Sequence, residues 1–393
     1  MNKNNFISIV DFGSANLRLG VFDNKLNNLC NFSRKIENSD NYDECSNSIN
    51  FLIKESEKNI SSHLENVIVM FDDPEIISID LSIKKNFDQK MLVKDIYPSI
   101  ILEANQLIKN NSSNKKVIHV IANKYTINGN TYSKTIKNDL KVKSIIIEIK
   151  FICLPLEKYN NIVNIFKKNN LQILNCFCSS YVKSLSYINS FNNYEIVAFL
   201  DIGWQRSTLY IFNKKKLNFI NSINVGGNHI TKDISKILEI DFHESEKIKK
   251  LFTNSEIEFS FDNKIDNKDD SLIKKALDTK ISVDLLKKVV FARVEEIIEL
   301  VFKDFNFREN INDSSNSVLV LTGNGSKLFN KNTFHLDNKF NFKEINFYEE
   351  SDLEICKAGV DLDSKWHNDE TKQVSKSVKK KGFFEKFFNF FGN

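Results

Sequence analysis

A chain of 393 residues, 41% of them hydrophobic, is long enough for two lobes, because single cores stop growing near ~250 to 300 residues. Its 55 Lys+Arg against 51 Asp+Glu leave a formal net charge of +4, a balance that excludes bulk electrostatic attraction to nucleic acid. The six cysteines are scattered, Cys176-Phe177-Cys178 lacks the two-residue gap of a zinc knuckle, and no apolar run nears the ~18 residues of a spanning helix. Reduced thiols are therefore expected, with no metal held by Cys or His, in a chain that is neither secreted nor transmembrane. The 33 Phe set a high background against which any aromatic cluster is judged.

In chain order, residues 6–10 read as a short apolar strand, Asp11-Phe12-Gly13-Ser14-Ala15-Asn16 as a turn, and residues 17–22 as a returning strand. Residues 67–71 predict a strand, 90–109 a helix spaced by Leu92, Ile96, Ile100 and Leu107, and 117–122 a strand. Residues 143–154 predict another strand, followed by a helix over 156–168. The opening layout then returns, with a strand at 196–200, a turn at Asp201-Ile202-Gly203-Trp204-Gln205-Arg206 and a strand at 207–212. Helices are predicted over 229–240 and 243–252, a loop over 253–270, a strong apolar helix over 285–302, and a strand at 318–321 that ends in Thr322-Gly323-Asn324-Gly325-Ser326. Alternating strands and helices argue for α/β layers, and the repeated hairpin argues for two related lobes.

An acid and a glycine at a hairpin tip let backbone N–H groups approach a phosphate while the carboxylate orients magnesium or water. Alone, such a turn is more often an ordinary hairpin. Two facing tips, joined by the glycine turn at Gly323 and Gly325 that permits close approach of an adenosine, make a nucleotide site. The histidines, His119 and His229 included, lack metal-ligand spacing and read as packing or surface residues, and Glu295-Glu296 beside Arg293 reads as a solvated helix face with an ion pair.

The order Asp11-Phe12-Gly13-Ser14, Asp201-Ile202-Gly203, then Leu321-Thr322-Gly323-Asn324-Gly325-Ser326 resembles the two phosphate motifs and the adenosine motif of actin-like ATPases. Within that superfamily three stretches resemble FtsA, the bacterial cell-division family: Val225 through Ile234 with Gly226-Gly227, Glu244 through Lys249, and Ala292 through Ile297. Leu102-Glu103-Ala104-Asn105-Gln106 and residues 117–125 are similar to the FtsA segment that forms its extra subdomain.

The resemblance implies an actin-like fold of two lobes and four subdomains: lobe 1 from residues 1–81 and 161–195, an FtsA-type extra subdomain from 82–160, and lobe 2 from 196–360. It implies a site for ATP with Mg2+ at Asp11, Gly13, Ser14, Asp201, Gly203, Gly226, Gly227, Glu246, Lys249, Gly323, Asn324, Gly325 and Ser326. Asn16 stands where a lysine is common, and Trp204-Gln205-Arg206 where glycines are. Trp204 carries a ring into a turn that favours positive φ, so ATP binding with very slow or no hydrolysis is expected.

Residues 361–381 are polar and predict a flexible linker. Beyond them, helical spacing over residues 382–393 puts Phe383, Phe384, Phe387, Phe388, Phe390 and Phe391 within an arc of ~160°. Docking of this helix on its own domain is the plain alternative; Lys379, Lys380 and Lys381 favour a surface of anionic lipid. One short tail binds weakly, and lining up many by self-association raises avidity by ~10² to 10⁴. By resemblance, the partners are an FtsZ-type tubulin-like division protein, further copies of the chain and later division proteins, with no nucleic acid. The expected place is the cytoplasmic side of the inner membrane at the division site, where the chain tethers the Z ring. Alternatives are a PilM-like pilus-assembly protein, which lacks such a tail, and an active actin-fold ATPase or sugar kinase.

Overall fold

The computed structural model describes residues 6–132, 137–254, 283–305, 316–328 and 342–374. Its frame is a duplicated five-stranded sheet. In the first, β1 (Phe6–Phe12), β2 (Asn16–Asp23), β3 (Asn28–Lys35), β4 (Asn66–Phe71) and β9 (Gln172–Cys178) are ordered β3-β2-β1-β4-β9. In the second, β10 (Ile196–Ile202), β11 (Ser207–Asn213), β12 (Lys216–Ile223), β13 (Ser317–Thr322) and β14 (Glu344–Phe347) are ordered β12-β11-β10-β13-β14. The pairing senses also repeat: β1 runs antiparallel to β2 and parallel to β4, as β10 does to β11 and β13. The central strands FISIVDF and IVAFLDI are apolar without alternation because helices cover both of their faces.

A third sheet, β5-β8-β6-β7, is built from β5 (Ile77–Leu92), β6 (Lys115–Ile127), β7 (Asn130–Tyr132) and β8 (Lys141–Pro155). The helix α2 (Val93–Asn111) packs against it with Val93, Ile96, Ile100, Ile101, Ala104 and Ile108, giving this unit a core of its own. The sequence predicts the helix but not β5. That strand sits at a sheet edge; Ile77, Ile79, Leu81 and Ile83 alternate with polar residues over its first half, a period-two signal, and the mostly polar run from Lys84 to Lys90 breaks it over the remainder.

Around the first sheet lie α1 (Tyr42–Ile60), α3 (Leu156–Lys168) and α4 (Ser179–Tyr187); around the second lie α5 (Gly227–Leu238), α6 (Phe242–Asn254) and α7 (Val283–Phe302). Arg293 of α7 forks onto Asp233 of α5, Nε to Oδ2 at 2.6 Å and Nη2 to Oδ1 at 2.9 Å, and so registers the two helices. The same guanidinium meets Glu296 at 2.6 Å on its own helix, the ion pair its spacing suggested. One apolar cluster runs across both sheets, from Val10 and Val69 to Phe199, Tyr210 and Val320, so the lobes share packing rather than a thin hinge.

The last described helix, α8 (Asp352–Val374), returns to the first sheet. Where the sequence reads a flexible linker from residue 361, the helix continues to Val374. Ahead of that point Ile355, Cys356, Ala358 and Val360 pack on Ile9, Phe22 and Met70; within the stretch read as a linker, half-buried Leu362 joins the same cluster and buried Asp363 accepts a hydrogen bond from Asn175, which carries the helix past residue 361. Gly359 is required there, since a Cβ at that position falls 2.2 Å from Ile9 Cδ1. The six tail phenylalanines, from Phe383 to Phe391, lie outside the described residues, as does most of the loop expected at 253–270.

Candidate functional site

The carboxyl ends of the central strands point toward one another across the two sheets, the place where α/β folds gather polar groups. Asp11 ends β1 and is buried. It accepts from Arg18 Nη1 at 2.8 Å and from Ser179 Oγ at 2.6 Å. Arg18 faces it directly across the hairpin, and its Nε bonds Asp352 at the start of α8.

Asp201 ends β10 in the equivalent position, but its counter-ion comes from the other lobe. Lys183 of α4 places Nζ 2.8 Å from Asp201 and 3.0 Å from Glu350. Burial pushes Asp201 upward, yet Lys183 and Arg206 outweigh it and hold its pKa below the ordinary carboxylate value. Glu350 goes the other way: burial, aided by the charge of Asp201, raises it. At the end of β4, Asp72 pairs with Arg206 and accepts from the Ser180 N–H at 2.9 Å. Burial raises the Asp72 pKa in spite of Arg206, and its Oδ1 has no hydrogen-bond partner.

The two hairpin tips touch. The Gln205 N–H faces Ser14 Oγ at 3.4 Å, and Ser39 Oγ donates to Gln205 Oε1 at 2.9 Å. A cavity of about 220 Å³ opens beside them, lined by Ser14, Ser39, Asp72, Asp73, Gln205 and Arg206 among others. Both tips close on their own backbone, Gly13 N–H to Asn16 at 3.1 Å and Gly203 N–H to Arg206 at 2.9 Å.

On the second lobe the predicted residues converge. The α5 N–H groups of Gly227 and Asn228 donate to the carbonyls of Gly203 and Trp204, at 2.9 and 2.8 Å. These are the donors that a helix N-terminus otherwise offers an anion. Gly226 lies under the same tip, where a Cβ falls 2.7 Å from the Gly203 carbonyl oxygen. Gly323, at φ +81°, turns beneath Asp201, and Gly325 packs on Ile202; a Cβ on Gly227 falls 3.9 Å from the Gly325 Cα. Ser326 Oγ donates to the Gly323 carbonyl at 2.7 Å, whereas Asn324 stays exposed at the rim.

From α6, Lys249 Nζ donates to the Gly227 carbonyl at 2.9 Å, to Thr231 Oγ1 at 2.7 Å and to Glu246 at 2.6 Å, and stands 4.7 Å over the Trp204 ring. Burial lowers the Lys249 pKa, while Glu246 is held below its usual value because Lys249 overrides its own burial.

These contacts test the expected group in two halves. Of the residues expected around the nucleoside, the glycine turn, the start of α5 and the Glu246–Lys249 pair converge on one corner, with the Trp204 ring against it. The magnesium half does not fit. A divalent ion of that kind needs oxygens near ~2.1 Å in octahedral array, yet Asp11 and Asp201 already hold Arg18 and Lys183. Sequence reasoning missed Arg18, Asp72, Lys183, Glu350 and Asp352. The sole signal for any of them was Asp72-Asp73 directly after the carboxyl end of a buried parallel strand.

A family model described as Cell division protein FtsA matches residues 198–331. The chain is 24% identical over 140 residues to the cell division protein FtsA of Helicobacter pylori (strain ATCC 700392 / 26695), covering 35% of this chain and 27% of that one. It is 20% identical over 259 residues to FtsA of Agrobacterium fabrum, covering 64% and 55%. The matches thus span between about a quarter and about half of the length of these relatives. Among solved structures, a chain of the PilM-PilN type IV pilus biogenesis complex superposes with a TM-score of 0.57 at 13% identity, over 89% of each chain. MreB5 of Spiroplasma citri, in a crystal structure bound to AMPPNP, gives 0.52 at 13% identity, over 94% of this chain and 99% of that one. The fold is that of the actin-like ATPases, and within it the sequence is similar to FtsA.

Proposed function

From a chain with the actin-like fold and a second lobe similar to cell division protein FtsA, we propose a division adaptor that self-assembles and tethers FtsZ-type filaments to the cytoplasmic face of the inner membrane. The match of residues 198–331 to the FtsA family carries this reading. The phenylalanine-rich stretch 382–393, behind a basic cluster, supplies the lipid contact, and the described residues hold no helix long and apolar enough to cross a membrane. Each Phe is worth at most ~1.5 to 3 kcal/mol when fully buried, so one tail holds weakly and an assembly holds firmly.

ATP occupies the corner framed by Gly227, Glu246, Lys249, Gly323 and Gly325, and turnover is very slow or nil because the carboxylates beside the phosphates are engaged by the chain's own cations. Later division proteins meet the unit formed by the third sheet.

Vesicle co-sedimentation tests the tether. The full chain is expected to pellet with vesicles containing anionic lipid and to carry a tubulin-like division protein down with it. Removal of residues 382–393, or Phe387→Glu with Phe388→Glu, should leave a soluble protein that stays in the supernatant; undiminished pelleting refutes the anchor. A PilM-like role in pilus assembly is the second reading, favoured by the superposition on the PilM-PilN complex. It predicts no lipid binding by the tail and no capture of the tubulin-like protein.

A further inference from the structure

We propose that Lys183 is a built-in counter-ion that takes over the work of a divalent cation, so that the cleft closes, and accepts nucleotide, without metal. Lys183 belongs to α4 on the first lobe, and Asp201 to β10 on the second. Its ammonium lies 2.8 Å from Asp201 and 3.0 Å from Glu350, with all three side chains nearly excluded from water. A single buried cation therefore bridges two carboxylates and joins the lobes, which is the geometry a bound metal ion otherwise provides. Arg206 repeats the device at the next strand end, running from the second hairpin to Asp72 of the first lobe. Burying carboxylates so close together is costly unless a positive charge sits between them. Here that charge is covalently part of the chain and is present at every metal concentration.

The two tips themselves carry Asn16 and Trp204-Gln205-Arg206, and the cationic groups that reach the strand-end carboxylates are Arg18, Lys183 and Arg206. The inference rests on the reading of this cleft as a nucleotide site only for its second half; the closure of the lobes is independent of any ligand.

Two measurements on the full chain test it. Thermal unfolding is followed in excess EDTA and in millimolar Mg2+ or Mn2+, without nucleotide, and the midpoint is expected to be unchanged for the native protein. Lys183→Met leaves Asp201 and Glu350 facing each other, and its midpoint should drop in EDTA and recover as Mn2+ is added. Lys183→Met combined with Glu350→Gln removes one of the two acids, keeps the fold measurable, and should lose the Mn2+ response. A native midpoint that rises with Mg2+, or a Lys183→Met protein indifferent to Mn2+, overturns the proposal. Calorimetric titration with ATP then separates the two claims: affinities in EDTA and in Mg2+ should agree to within about twofold, and a gain of about tenfold or more with Mg2+ overturns metal-free binding. Absence of ATP binding under both conditions refutes the nucleotide reading and the metal-free acceptance that depends on it, while the thermal result still decides the bridge.

Discussion

Arg206 and Asp72 face each other across the two sheets, one at the tip of the second hairpin and the other at the end of β4, and together they pin the hairpin to the opposite lobe. Asp72 is fully excluded from solvent and Arg206 nearly so. Removing one partner strands the other: Arg206→Met or Asp72→Asn should each cost roughly 3 to 5 kcal/mol of unfolding free energy. The double variant should cost much less than the sum, because no uncompensated charge remains. Urea denaturation of the three variants measures the coupling, and simple additivity would contradict the pairing.

His119 predicts a pH dependence. It is buried against Phe177 and Tyr181, its Nε2 accepts the Cys178 N–H at 3.0 Å, and burial pulls its pKa down to about 3. The folded protein thus keeps it neutral between pH 6.5 and about 3, where the unfolded chain binds the proton. Its contribution is complete above the unfolded value and shrinks as pH falls, by about 2 kcal/mol between pH 7 and pH 5. Urea titrations at both pH values should show His119→Gln losing that much less on acidification than the native chain.

Trp204 should oppose nucleotide binding. Its ring lies 4.7 Å from Lys249 Nζ, at the corner framed by Glu246 and the glycine turn. Trp204→Gly removes the ring, and should tighten ATP binding by about tenfold, or ~1.4 kcal/mol. Calorimetry decides: unchanged or weaker binding means that the ring does not stand in the way.

Gly359→Ala should be destabilising despite the better helix propensity of alanine. The added methyl falls 2.2 Å from Ile9 Cδ1 and 2.6 Å from Met70 Sδ, inside a closed apolar cluster. Overpacking of this kind costs roughly 1 to 3 kcal/mol, more than the ~1 kcal/mol that propensity returns. A raised melting temperature would show that α8 can slide away from the sheet.

The hairpins were legible because an apolar run, an Asp-x-Gly turn and a returning run are local signals, and the duplication followed from seeing that unit twice. The glycine turn at Gly323 and the Glu246–Lys249 pair were legible through family likeness, and the chain brings them together. The counter-ions were not. Nothing near Lys183 in sequence points to Asp201, 18 positions on, or to Glu350 in a different lobe, and a lone lysine in a short helix carries no pattern. Polarity misled at the start of the stretch from residue 361 because Leu362 packs with the buried stripe of Ile355 to Val360 and Asp363 is held by Asn175, contacts that a polar run does not announce.

The return of α8 to the first sheet also sets an order of assembly during synthesis. Every described strand of the second sheet lies between Ile196 and Phe347, so that lobe can close as a contiguous segment as it leaves the ribosome. The first lobe, although made earlier, must wait with Ile9, Phe22 and Met70 uncovered until Ile355 to Val360 arrive. A nascent chain halted before α8 therefore leaves Ile9, Phe22 and Met70 open on the face of the first sheet that α8 would cover, even where its strands are already paired.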